Sequence, residues 1–403
     1  YSISLARRTS RYSGRFNCMY GASASSADTF HISTTKAHTL LPYLLTVPVI
    51  KDGSANQTRP VSTGPYMYVE GADYVQAFEN YGSSLPVDRI YLKEYTETES
   101  IITAFEDSYI DLVLNDSSST SNLGYGGNTE TRYYTTTNMH YFGVNMESSL
   151  LSNPNIRYAI SLAVDREYAA DTLMQQGAVA SALPISPMSP LYDESIAAQL
   201  EYSPEQCAQI LANAGLSDMD NDGTLEYLNY SVMQDATIDI IVCSQSAGKG
   251  DVCQSLADTL SQLGLSVTVR ELSWSDYLSA INKDDLDADG EPDVNFDLYY
   301  AEVKLGADFD LTNLLSVDGS LNYGGITDEA YTTYIDSYLA ADGLTRPSAC
   351  AAMLQYIATN APIIPVCFER HEVITHRNVI TGIEVTANNI FYNISDWTIK
   401  FSD

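Results

Sequence analysis

Apolar residues recur at helical spacing in residues 154–164, where Ile156, Ala159, Ile160, Ala163 and Val164 fall on one face. Asn153 is a good N-cap and Pro154 suits the first helical position, so the pattern predicts a helix opening there. A second short helix is predicted over 165–177, stopped by Gly177. Ser203, Pro204 and Gln206 make a capping box, after which Ile210, Leu211 and Ala214 line one face before Gly215. A β-α-β unit follows: TIDIIVCS as strand, KGDVCQSLADTLSQLG as a helix with Val252, Leu256, Leu260 and Leu263 on one side, and LSVTVREL as the returning strand. A crossover of that length implies parallel pairing with a right-handed connection. Further helices are predicted over 327–341 and 345–359, then IIPVCFE and VITGIEV as strands. Residues 1–145 read differently, as strands in DTFHIST, YMYVEG and PVDRIYLKEY, a helix in TESIITAFEDS and a strand in IDLVLND.

Length and charge narrow this picture. At 403 residues the chain fits two domains. The 52 Asp and Glu against 20 Lys and Arg give a net charge of -32, which repels phosphate backbones and anionic lipid and argues against nucleic acid as a partner. The same acidity serves plain solubility. No run approaches the roughly 18 apolar residues of a membrane span. The chain starts at Tyr1 without a basic, apolar leader, so an export signal is expected to be either removed or not included. The six Cys show no metal-like spacing, which argues against a zinc site. Cys243 and Cys253 could meet across a strand-to-helix turn, or stay as free buried thiols.

The segment FDLYYAEVKLGADFDLTNLL, residues 296–315, holds the candidate chemistry. It sets an apolar strand beside Glu302, Asp308 and Asp310, with Tyr299, Tyr300 and Phe309 interleaved, a mixture that suits the lining of a ligand cleft. The alternative is that both aspartates are solvated or cap LTNLL. In LNYGG, residues 321–325, two glycines would let the backbone approach a ligand, or simply make a turn. Asp218, Asp220, Asp222 and Gly223 follow D-x-D-x-D-G, as do Asp285, Asp287, Asp289 and Gly290, the pattern of calcium loops. Both lack a bidentate Glu at position twelve, where Asn229 and Phe296 stand. No HExxH, GxSxG or P-loop is present, and no carboxylate pair stands out for glycoside hydrolysis.

Strand, capped helix, AVDRE, Gly-stopped helix and Pro-rich exit in residues 141–187 resemble the domain-crossing signature of the peptide/nickel family (family 5) of ABC-transporter solute-binding proteins. The order of TGPY and the strands after it is similar too, and the likeness extends from RYSGRF to the closing FYNISDWTIK. It implies an α/β, two-lobed periplasmic-binding-protein-like fold (type II), two mixed-sheet domains joined by hinge strands. Domain I would be 1–145 plus 371–403, N-terminally incomplete because ARRTSRYSGRF lies well inside that domain in the family, and domain II 146–370. The ligand would lie between the lobes, unaltered by the protein. Asp308-Phe309 matches by position the aspartate-aromatic pair that receives a peptide's α-ammonium group, with Asp310 as the other candidate, and Asn322 and Tyr323 match a turn that faces the ligand. With Glu302 and Tyr300 these complete the expected ligand site. The first acidic loop also matches a solvated turn of the family, so no resident metal or cofactor is expected, calcium at Asp285, Asp287 and Asp289 being the exception to test. The expected protein is a bacterial monomer, extracellular as a membrane-anchored lipoprotein or periplasmic, that hands an oligopeptide, dipeptide, nickel chelate or oligosaccharide to permease subunits. The opposing readings are an extracellular hydrolase of sugars or peptides and a cell-surface adhesion module.

Overall fold

The computed structural model describes residues 1–9, 12, 14–57, 60–61, 63–116, 124–245, 248–282, 295–387 and 389–400. The chain divides into two compact units, Tyr1–Thr136 with Arg370–Asp403, and Thr137–Glu369. Both divisions fall inside long strands, β1 (Thr129–Val144) and β5 (Ile363–His376), so each strand carries the chain from one unit into the other.

The first unit is built of short pieces. Met19–Ala24 and Phe30–Thr34 form an antiparallel pair, and Tyr66–Tyr68, Tyr74–Ala77 and Arg89–Tyr91 a three-stranded antiparallel sheet. The predicted helix is Thr98–Glu106, and Leu112–Asp116 pairs antiparallel with β5 from Asp116↔His371 to Leu112↔Thr375. VITGIEV gives only the two-residue strand Ile380–Thr381, which pairs with Thr398–Ile399. Its apolar side chains gather in separate clusters, around Phe16 and Met19, Phe105 and Val113, and Ile380 and Trp397.

The second unit holds a large apolar cluster, to which helix α1 (Pro154–Leu162) contributes Ile156, Ala159, Ile160 and Leu162, and further buried side chains outside it, Leu315, Tyr338, Met353 and Leu354 among them. Burying each large aliphatic stabilises by about 1.5–3 kcal/mol. Its start follows the predicted chemistry, since the Asn153 side chain accepts the Asn155 N–H. The next helix begins at Asp165, which accepts the Tyr168 N–H, but after one turn it widens into a π-helix over Ala169–Leu173. Helix α2 (Pro204–Asn213) is capped by Ser203 accepting from Gln206 and ends at Gly215, whose φ of 95° only glycine adopts cheaply. The β-α-β unit is β2 (Thr237–Cys243), α3 (Lys249–Gln262) and β3 (Ser266–Leu272), with β2 and β3 parallel. Adding β4 (Leu298–Lys304), the sheet runs β3-β2-β4-β1-β5, with Ala178–Ala180 also paired to β5. The later helices are α4 (Thr312–Leu315), α5 (Ala330–Ala340) and α6 (Arg346–Asn360). No disulfide joins Cys243 to Cys253: Cys253 points into the core from α3, and all six cysteines are thiols.

Arg166, from the AVDRE run, is a staple that no periodicity argument predicts. Its buried guanidinium donates to the carbonyls of Pro365 at 2.8 Å, Ser161 at 3.0 Å and Leu200 at 2.9 Å, and to Ser161 Oγ at 2.8 Å. Burial lowers its pKa to about 10, so it keeps its charge at neutral pH.

Candidate functional site

Strand β4 lies between β2, its parallel partner at Ile240↔Leu298, and β1, its antiparallel partner from Leu298↔Val144 to Lys304↔Asn138. Alternation along a strand sends Tyr300 and Glu302 to one face and Tyr299 to the other. On the first face Glu302 stands opposite His140. His140 is 1% exposed, and its Nε2 lies 2.9 Å from Glu369 Oε1 and 3.6 Å from Glu302 Oε2. Its Nδ1 is 3.3 Å from the Tyr300 hydroxyl, and Asn138 donates to Glu369 Oε2 at 2.6 Å. Lys249, at the start of α3, reaches Glu302 Oε2 at 2.8 Å. Glu369 is therefore a buried carboxylate with both oxygens satisfied, as burial requires. The exposed Glu302–Lys249 pair leaves opposite charges within reach of solvent, a pairing worth at most about 1 kcal/mol to stability. Burial pushes the Tyr300 phenol well above its ordinary pKa, leaving it a neutral hydrogen-bonding group.

The second face is aromatic. Tyr299 packs edge-to-face on Tyr141 with centroids 6.0 Å apart and on Tyr323 at 6.1 Å. It can do so because residue 143 is glycine: a Cβ there would lie 1.9 Å from the Tyr299 ring. Gly324, next to Tyr323, is needed for a comparable reason, as its Cβ would sit 2.1 Å from the Val144 carbonyl oxygen. That approach is fixed by Met146 N–H donating to the Gly324 carbonyl at 2.8 Å. Asn322 has its whole amide engaged in the turn, donating to Val317 and Ile326 carbonyls and accepting the Ile326 N–H at 2.8 Å.

Beyond β4 the chain turns through a loop tied to β1, where Thr137 Oγ1 donates to the Leu305 carbonyl at 2.8 Å. Phe309 takes a left-handed backbone, φ 51°, with its N–H on the Gly306 carbonyl at 3.0 Å. For a bulky residue that conformation costs about 1–3 kcal/mol, and such strain gathers at binding sites. Its ring packs against Phe368 of β5, centroids 6.2 Å apart. Asp308 is 3% exposed, its carbonyl accepting the Tyr338 hydroxyl at 2.7 Å and its Oδ1 taking the Asp310 N–H at 3.4 Å. Asp310 instead turns toward α4, where Oδ1 accepts the Thr312 N–H at 2.9 Å and the Thr312 hydroxyl. It fastens the turn before α4 and does not cap the helix, whose N-cap is Leu311.

The expected site residues thus divide. Tyr300 and Glu302 join a polar cluster, while Phe309 and Tyr323 pack with Phe368 and Tyr299, which alternation assigns to the other face. His140, Glu369, Asn138 and Lys249 escaped the sequence reading, because their pairing needs the strand register: residues 140 and 369 are 229 positions apart. Asp285, Asp287 and Asp289, the expected calcium ligands, lie outside the described residues.

The model of the bacterial extracellular solute-binding proteins, family 5 (middle), matches residues 2–300. The oligopeptide-binding protein AppA of Bacillus subtilis is 20% identical over 366 residues, covering 87% of this chain and 64% of the relative. The chain therefore spans less than two thirds of that curated relative's length. The solved structure of the same AppA, in complex with a nonapeptide, superposes with a TM-score of 0.62 at 16% identity, over 100% of this chain and 82% of the other. NikZ of Campylobacter jejuni, in complex with Ni(L-His), gives a TM-score of 0.66 at 16% identity, over 98% and 83%. At these identities the likeness shows the fold, the mixed α/β periplasmic-binding-protein arrangement expected above.

Proposed function

This chain belongs to the bacterial extracellular solute-binding proteins, family 5, and we propose that it is the substrate-binding component of an ABC importer, capturing oligopeptides through Asp308 and passing them to the permease chemically unchanged. The observation that carries the reading is the buried Asp308 carboxylate beside the strained Phe309, with Asp310 committed to the turn before α4. A carboxylate shielded from water binds an ammonium group strongly, since a charge-assisted hydrogen bond contributes about 1.5–3 kcal/mol. Phe309 and Tyr323 add apolar surface for a peptide backbone. AppA, named as oligopeptide-binding, supports the peptide class. The protein would work as a monomer outside the cytoplasmic membrane, held as a lipoprotein or free in a periplasm. Among the described residues no helix is long and apolar enough to cross a membrane. The hydrolase and adhesion readings find no support in a match to a solute-binding family.

Mass spectrometry of compounds that co-purify, followed by calorimetry with the peptides found, tests this reading. Asp308→Asn should weaken a peptide with a free amino terminus by about one to two powers of ten, and weaken its N-acetylated form little. Equal affinities for both peptides in both proteins would remove the ammonium contact, and recovery of cleaved peptide would replace binding by hydrolysis. A second reading, uptake of a metal chelate, draws on His140, Glu302 and Glu369, whose ligand atoms lie within 4.8 Å of one another. Against it stands the Lys249 ammonium on Glu302. Binding of a nickel-histidine complex that is lost in His140→Ala and kept in Asp308→Asn would select it.

A further inference from the structure

The loop between α2 and the strand Glu226–Asn229 differs from a solvated acidic turn in one respect. Its ends are stapled by Ser217 and Glu226, which exchange backbone hydrogen bonds at 3.1 and 3.0 Å. Between them Asp218 accepts the Gly223 N–H, Asp220 that of Asp222, and Asp222 that of Thr224, with Asn221 and Gly223 in left-handed conformations. One carboxylate oxygen from each of Asp218, Asp220, Asp222 and Glu226 lies within 4.8 Å of one from every other. Glu226 is 4% exposed: its Oε2 accepts the Met219 N–H at 2.6 Å, and its Oε1, sealed from solvent, has no hydrogen-bond partner. No Lys, Arg or His among the described residues pairs with any of the four.

We propose that Asp218, Asp220, Asp222 and Glu226 form a calcium site that braces the second unit. A buried carboxylate oxygen without a donor is costly, and four like charges this close repel, unless a cation stands among them. The donors are all hard oxygens at loop positions one, three and five, with glycine at six and the Thr224 carbonyl at seven, the order that calcium loops use. The bidentate position-twelve Glu is replaced by Asn229, and Glu226 at position nine folds back into the ring instead. Several carboxylates gathered on one loop suit calcium, which takes six to eight oxygens, better than magnesium, which keeps its waters.

The test uses the whole chain after removal of metals by chelation, read by thermal melting and by terbium luminescence. Calcium chloride at about a hundred times Kd should raise the melting temperature by roughly 5–10 °C, and the same concentration of magnesium chloride should do far less. The double variant Asp220→Asn with Asp222→Asn should weaken calcium at least about tenfold, as should Glu226→Gln. Asp258→Asn, which removes an exposed charge from α3, should leave binding unchanged. If Glu226→Gln does not fold, the double variant decides, since its side chains are exposed. Absence of any calcium response, or a response that the loop variants do not diminish, overturns the site in favour of diffuse binding to an acidic surface or none.

Discussion

Asp297 shows how a single carboxylate can be read only with the structure in hand. It sits just before β4, where Oδ1 accepts the Ser148 hydroxyl at 2.5 Å and Oδ2 the Asp239 N–H at 2.8 Å. Burial pushes its pKa above the usual 3.8, more than these two bonds pull it down. A raised folded-state pKa means that the native state binds the extra proton. The stabilisation is then full below the unfolded pKa near 3.8 and is lost as pH rises through the higher folded value. Asp297→Asn should therefore gain melting temperature relative to the parent as pH rises from about 3.5 to 7, the neutral amide keeping what the parent loses. A difference that stays constant over that range would show that Asp297 does not titrate in this window. Nothing in FDLYY marks this aspartate, because its partners lie 149 and 58 residues away. Asp308 and Asp310 are both legible as candidates, and only the fold separates the carboxylate bonded to Thr312 from the buried one.

At the scale of elements, legibility followed locality. The caps of α1 and α2 and the parallel β2-α3-β3 unit could be placed from sequence, because capping and amphipathic spacing act within a few residues. The length of β1 could not, since its Thr- and Tyr-rich first half carries no clean alternation and its pairing is set by distant strands. The LNYGG turn was visible as a turn, but its purpose is the approach of Gly324 to the end of β1. Gly324→Ala should force backbone apart at Val144 and destabilise by about 2–3 kcal/mol, lowering the melting temperature of a unit this size by several degrees. A melting temperature within 1 °C or so of the parent would mean that the turn yields at little cost.

Across the whole molecule the two units are built on different principles. The first spreads its apolar side chains over separate small clusters, whereas the second holds one much larger cluster that takes in the inner faces of α1, α2 and α3. That contrast explains why periodicity is clearer after residue 145: a large core imposes a regular buried face on the helices that pack into it, and scattered clusters under short strands do not. The net charge of -32 says nothing about either arrangement and bears on solubility and partners alone.

Five of the six cysteines, Cys207, Cys243, Cys253, Cys350 and Cys367, are buried in the second unit, and burial pushes the thiols of Cys207 and Cys350 up to about 12. Only a thiolate reacts with an alkylating reagent, and burial keeps the thiols of Cys207, Cys253, Cys350 and Cys367 protonated until their surroundings come apart. Iodoacetamide uptake, followed by mass, is therefore a clock built into one half of the chain: half-buried Cys18 in the other half should label first, and these four should follow slowly and together. Labels arriving one at a time would reveal a core that opens in pieces.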